Sequence, residues 1–121
     1  MYKKRITFKN YNGEEISEDY YFNINKAEML ELEAQYKDGL KTHLQELLEK
    51  EDTKSIFEFI KLLILLSVGK KSDDGRLFIK NDTILNDFQY SEAYPTLLYD
   101  LFADETLESI KIFFEHIIPS E

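Results

Sequence analysis

Residues 2–22 read YKKRITFKNYNGEEISEDYYF, and this stretch decides how the chain begins to fold. Asn12-Gly13 is a turn signal between two β-prone runs, so the stretch predicts an antiparallel hairpin. A two-residue turn at Asn12-Gly13 pairs Phe8 with Ser17 and Ile6 with Asp19, which splits the apolar side chains between the faces. A three-residue loop, Tyr11-Asn12-Gly13, with Gly13 left-handed, pairs Phe8 with Ile16 and Lys4 with Tyr20. That register gathers Tyr2, Ile6, Phe8, Ile16, Tyr20 and Phe22 on one face. A one-residue slip turns every side chain over, so the shared apolar face selects the bulged loop. A two-stranded ribbon is marginal by itself and has to pack on the elements that follow.

Those elements read as helices. Asn25 is an N-cap residue with Glu28 placed for a capping box, and Met29, Leu32 and Tyr36 continue an apolar stripe. Asp38-Gly39 interrupts it. Leu40, Leu44, Leu47 and Leu48 mark a second amphipathic helix. Asp52 or Thr53 caps a third, which runs to Val68 with Gly69 closing it at the C′ position. This third helix is apolar nearly all round and is expected to be central, with Ile60, Leu63, Ile64 and Leu66 in the core. Residues 69–81 read as a basic, turn-rich connector in which Leu77, Phe78 and Ile79 form a short strand or an anchor. A short helix follows from Asp82, Ser91 caps another, and Asp104 caps a last one that Pro119 stops. The apolar residues of that last helix spread over more than the roughly 100° stripe of a surface helix. Either the rest of the domain wraps it or part of it is left for another chain. The expected fold is therefore α+β and mainly α, a hairpin (1–24) packed on a bundle of about five to six helices in a single domain spanning 1–121. Its parts are helices over 25–68, the connector over 69–81 and acidic helices over 82–119.

Composition narrows the function. The 121 residues carry a net charge of −9, with no Cys and no Trp. The absence of Cys excludes a disulfide scaffold, a Cys-ligated zinc site and a Cys nucleophile. A body this acidic is repelled by phosphate, which argues against nucleic-acid and anionic-membrane partners. The charge is uneven. Residues 1–24 are neutral, 25–52 carry −4, 53–80 carry +3, and 81–121 carry −8 with Lys111 the only base. One reading of the acidic end is a solvated helix face; the other is a surface that steers a basic partner. The N-terminal Met1–Arg5 is basic but no apolar run follows it, so no leader is expected. The greasiest stretch, Ile56–Val68, is 13 residues and includes Glu58 and Lys61, too short and too polar to span a membrane.

Nothing in the pattern marks a catalytic or metal centre, and neither an enzyme nor a cofactor is expected. His43 and His116 are far apart and outside any metal-ligand spacing. Asp73-Asp74-Gly75 suggests a calcium loop, but alignment on Gly75 puts Lys70 at the first ligand position and Asn81 where a bidentate Glu belongs. A turn capped by its own Asp side chains is the better reading. There is no Gly-x-Ser-x-Gly elbow and no phosphate-cradling glycine loop. Lys70, Lys71, Arg76 and Lys80, with Phe78 among them, form a local basic cluster, but Asp73 and Asp74 lie inside it. Pairing with the acidic C-terminal part of the same or a neighbouring chain accounts for it better than nucleic acid.

Three stretches in order carry a family resemblance. They are Tyr11-Asn12-Gly13-Glu14 through Glu18-Asp19-Tyr20-Tyr21-Phe22-Asn23 with Lys26-Ala27-Glu28; Gly69-Lys70-Lys71-Ser72-Asp73-Asp74-Gly75-Arg76-Leu77-Phe78-Ile79-Lys80; and Phe88-Gln89-Tyr90-Ser91-Glu92-Ala93-Tyr94 with Asp104-Glu105 and Ile117-Ile118-Pro119. Together they resemble the tail assembly chaperones of long-tailed phages and prophages of Gram-positive bacteria. The resemblance implies a non-enzymatic protein of the infected cytoplasm, absent from the mature virion. It implies binding to the tape measure protein, which is kept soluble until the major tail protein polymerises around it. It also implies a longer frameshifted product that recruits the major tail protein; a chain ending at Pro119-Ser120-Glu121 fits the short product. Several copies along one tape measure protein imply weak self-association. The rival reading is a phage-encoded inhibitor of a host or defence protein.

A tape measure segment is a long amphipathic helix, and a protein that shields it needs an apolar groove with charge around it. The acidic 81–121 segment holds the aromatic-rich late helices. Tyr94, Leu98, Phe102, Phe113, Phe114 and Ile117 are accordingly the expected partner-binding residues, inside acidic rims.

Overall fold

The computed structural model describes residues 1–119; Ser120 and Glu121, at the chain end named above, lie outside the described residues. The hairpin forms in the bulged-loop register. Strands β1 (Tyr2–Lys9) and β2 (Glu15–Phe22) pair antiparallel with Phe8 opposite Ile16 and Lys4 opposite Tyr20. Asn10 closes the loop. Its N–H donates to the Glu14 carbonyl (2.9 Å) and its own carbonyl accepts from the Gly13 N–H (3.0 Å). Its side-chain oxygen also accepts from the N–H groups of Asn12 and Glu14. Gly13 has φ +81°, the left-handed conformation that this loop requires. Ile6 and Phe22 are buried and Tyr2, Phe8, Ile16 and Tyr20 half-buried on the inner face. The outer face is polar: Lys3 and Arg5 share Asp19, and the Thr7 and Ser17 hydroxyls are 2.7 Å apart.

The sheet is larger than the hairpin. Strand β3 (Val68–Lys71) pairs with β2, and β4 (Phe78–Ile79) pairs with β3, giving one antiparallel sheet in the order β1-β2-β3-β4. The basic connector is thus largely sheet and tight turn. Ser72, Asp74 and Gly75 make the turn: Asp74 Oδ1 accepts from the Ser72 hydroxyl (2.7 Å) and the Arg76 N–H (3.0 Å). Gly69 corrects an expectation. It does not cap the preceding helix but lies inside β3, where an added Cβ would sit 2.5 Å from the Phe78 ring and 2.8 Å from the Ile79 carbonyl. A glycine is needed there because another backbone comes too close for any side chain.

Among the described residues six helices complete the α+β, mainly α architecture: α1 (Lys26–Glu33), α2 (Leu40–Lys50), α3 (Thr53–Ser67), α4 (Asp82–Gln89), α5 (Ala93–Ala103) and α6 (Glu108–Ile117). Three of them, α1, α3 and α4, begin at an N-cap residue whose side chain satisfies a free N–H group. Asn25 and Glu28 form the expected capping box, Asp52 accepts from the Ser55 N–H and Asn81 from the Ile84 N–H, whereas α5 starts at Glu92 with no side-chain cap and Ser91, expected there, lies one residue earlier with its hydroxyl accepting the Ala93 N–H. Phe22 lies at the centre of the core, with ring centroids 5.5 Å from Phe88 on α4 and 6.0 Å from Phe113 on α6. Ile60, Leu63 and Ile64 are fully buried, but Leu66 is 40% exposed. At 100° per residue Leu66 lies about 110° around α3 from the mean direction of Leu63 and Ile64, on the outward side. Phe57 and Leu62 are also exposed, so α3 is covered on one side rather than on most.

Glu28 links two levels of this fold. Its carboxylate accepts the Asn25 N–H (2.9 Å) and holds Lys80 Nζ at 2.7 Å across the fold. Of the basic cluster, Lys80 thus pairs with α1 and Arg76 with Asp74 inside the cluster, and among the described residues none of the four pairs with a C-terminal helix. Glu28→Ala is expected to lower stability by about 1–2 kcal/mol, and Glu28→Gln, which keeps an acceptor, by less than half of that. Urea unfolding of the two variants measures the difference.

Candidate functional site

A groove runs between α2 and α6. Each helix contributes residues at i, i+3, i+4 and i+7 spacing: Lys41, Leu44, Gln45 and Leu48 from α2, and Lys111, Phe114, Glu115 and Ile118 from the end of the chain. This spacing places four side chains along one helix face. Leu44 and Phe114, nearly fully buried, form the floor, and Leu48 and Ile118, half-buried, form the walls. The groove is open to solvent and has a volume of ≈ 570 Å³. Its rim holds Lys41, Glu49, Lys111 and Glu115. The rim is therefore of mixed sign rather than acidic, and Lys111, the one base of the C-terminal segment, is part of it.

The walls are held independently. Gly39, at φ +87°, turns the chain into α2, and Glu33 accepts the Leu40 N–H at 3.1 Å. Leu40 is fully buried beneath the first turn. At the other wall Ile110, Phe113 and Ile117 bury the opposite face of α6 completely, and the Ile117 carbonyl accepts the Ile24 N–H at 2.7 Å. The entry to α6 depends on Asp104. Its carboxylate accepts from the Thr106 hydroxyl (2.6 Å) and N–H (3.0 Å) and from the Ser109 N–H (3.1 Å), which steadies Leu107 at φ +61°.

The hydrogen bond from the Thr106 side chain, followed by those from the backbone, holds the Asp104 carboxyl down to about 2, against an ordinary value of 3.8. The folded state thus binds this proton less tightly than the unfolded chain does. Asp104 contributes its full stabilisation above about pH 4, and the contribution is lost as pH falls through 2. Asp104→Asn is expected to be less stable than the parent at neutral pH and to lose less between pH 4 and pH 2. Urea midpoints across that range give the readout.

The six expected partner-binding residues do not form one surface. Phe114 lines the groove. Phe113 and Ile117 are fully buried, Phe113 packing 5.0 Å from the Tyr2 ring, so they position α6 from behind. On the last helix the broad apolar spread is thus mostly core, with Ile112 left 43% exposed. Tyr94, Leu98 and Phe102 form a half-buried stripe on α5, with Tyr94 against Phe88 and Phe102 against Phe57. The Tyr94 hydroxyl is enclosed without a hydrogen-bond partner among the described residues, and burial pushes its pKa up. Leu44, Leu48 and Ile118 were not anticipated as site residues. The leucine pattern of α2 is visible in the sequence, but its pairing with α6 is a tertiary fact that periodicity does not encode.

The groove offers apolar surface and charge, with no nucleophile–base pair within it. His43 packs between Tyr36 (tilted, ring centroids 4.5 Å apart) and Phe59 (edge-on, 4.8 Å), and exposed His116 bonds the Ile112 carbonyl through Nδ1. Among the described residues no group of three or more His, Asp or Glu side chains is placed to hold a metal ion. No helix among them is long and apolar enough to cross a membrane. An apolar floor with alternating charges at its rim suits the apolar face of an amphipathic helix.

A family model described as phage tail assembly chaperone matches residues 1–121 of this chain. No curated protein and no solved structure gives a significant match.

Proposed function

As the chain belongs to the phage tail assembly chaperone family, we propose that it binds the tape measure protein and keeps it soluble while the tail tube polymerises. The α2/α6 groove seats an amphipathic helix of that partner. Phe114 forms its floor with Leu44, Leu48 and Ile118 grip the helix, and the mixed rim of Lys41, Glu49, Lys111 and Glu115 sets its register. Phe113 and Ile117 hold the floor in place. Tyr94, Leu98 and Phe102 add a separate strip for the same long partner.

The groove is the observation that carries this reading: two facing helical stripes with an apolar base and a charged rim suit a helical partner. The site of action is the cytoplasm of the infected host, and the protein is absent from the mature virion. A longer frameshifted product brings the major tail protein to the same complex. Several copies coat one tape measure protein and touch weakly.

Co-expression with the tape measure protein of the same phage is the test. The expected outcome is a soluble complex of the two. A tape measure protein that stays insoluble in its presence, or no co-purification, overturns the reading.

A further inference from the structure

A second surface lies away from the groove, on the free edge of the sheet. In β1 the loop hydrogen bonds of Asn10 set the alternation of the ladder: Phe8, Ile6, Lys4 and Tyr2 bond to β2. The backbone N–H and C=O groups of Lys3, Arg5, Thr7 and Lys9 therefore point away from the sheet. The same alternation holds on the other side of β2, where the Asn23 N–H bonds across to Ser67 at 2.8 Å. Sheet order leaves β1 at the edge, and the outward groups have no backbone partner among the described residues. The edge is eight residues long and contains no proline, bulge or acid.

Its chemistry stands apart from the rest of the molecule. Residues 1–9 carry Lys3, Lys4, Arg5 and Lys9 with no Asp or Glu, in a chain whose net charge is −9. The side chains of Lys3, Arg5, Thr7 and Lys9 all project on the exposed outer face. The strand already paired with β1 shows what this column accepts: Glu15 lies opposite Lys9, Ser17 opposite Thr7 and Asp19 opposite Arg5. A second copy of β1 is the wrong occupant. Antiparallel pairing of two such edges sets Lys3 against Lys9, and like charges directly opposite are destabilising.

We propose that the free edge of β1 is a docking site for an extended acidic segment of another protein, which adds a fifth strand antiparallel to β1 with acidic side chains beside Arg5 and Lys9. Backbone groups of Lys3, Arg5, Thr7 and Lys9 supply the ladder, and the basic column supplies the preference for acid. This surface is independent of the groove, and its test leaves the groove untouched.

The probe is a synthetic strand peptide in which glutamate alternates with valine, titrated into the full chain at low salt while amide exchange is followed by NMR. Protection is expected at the outward amides of Lys3, Arg5, Thr7 and Lys9, with no change at Leu48 or Lys111, and it weakens as salt is raised. A lysine–valine peptide is expected not to protect. Thr7→Pro removes an N–H that the sheet itself does not use, and about tenfold weaker binding is expected. Lys3→Glu with Lys9→Glu is expected to transfer the preference to the lysine peptide. No protection at these four amides, equal protection by both peptides, or an unchanged preference in the double variant overturns the proposal.

Discussion

Replacing Phe113 with alanine is expected to lower stability by about 3–5 kcal/mol. The ring is fully buried at the junction of three elements, 5.0 Å from Tyr2 on β1 and 6.0 Å from Phe22 on β2. Truncation loses the transfer energy of the ring and leaves a cavity that the rigid sheet cannot close. Domains of this size have total stabilities of about 5–15 kcal/mol, so the variant sits near its unfolding midpoint in mild denaturant. Phe113→Leu, which keeps most of the volume, is expected to cost about 1–1.5 kcal/mol. Urea unfolding followed by circular dichroism separates the two. The same burial means that an aspartate at 113 unfolds the chain, so a loss of binding in such a variant says nothing about where a partner sits.

The second large effect is on binding. Leu48→Asp combined with Ile118→Asp is expected to weaken capture of the tape measure protein by at least about a hundredfold. Both residues line the groove and are half-buried, so the expected cost in stability is only about 1 kcal/mol each. In the proposed complex the substitutions place charge on the walls that face the apolar side of the helix, where a desolvated carboxylate has no partner. Tyr90→Ser, at an aromatic that is exposed but outside the groove, is expected to leave affinity unchanged. Pull-down of a soluble tape measure fragment, with circular dichroism as a check on folding, distinguishes the variants. Equal capture by the double variant and the parent places the partner elsewhere.

The hairpin was legible because its period of two runs for eight residues on each side of a loop that only one register satisfies. Helix starts were legible where capping chemistry is local, as at Asn25 and Asp52; Asp104, expected to cap the last helix, instead braces the turn before it, and α6 begins beyond Leu107. Strands β3 and β4 were not legible as a pair. Four residues and two residues are too few for a periodicity, and Gly69 reads as a helix terminator until Phe78 is seen lying over it. Leu66 reads as core because a run of five apolar residues, Leu62–Leu66, hides the helical phase that separates Leu63 and Ile64 from the exposed Leu62 and Leu66. At the site, aromatic richness pointed to α6 and reached Phe114. It also drew in Phe113 and Ile117, since one apolar face looks like another until the sheet is placed against it. The α2 wall depended on a contact between helices about seventy residues apart, which no local pattern carries.

Chemical-shift mapping of the isotopically labelled chain against a soluble helical fragment of the tape measure protein tests the groove most directly. The largest shifts are expected at Leu44, Leu48, Lys111, Phe114 and Ile118, which belong to the two facing stripes. Shifts confined to the α5 stripe of Leu98 and Phe102, or none anywhere at saturating fragment, contradict the groove's role.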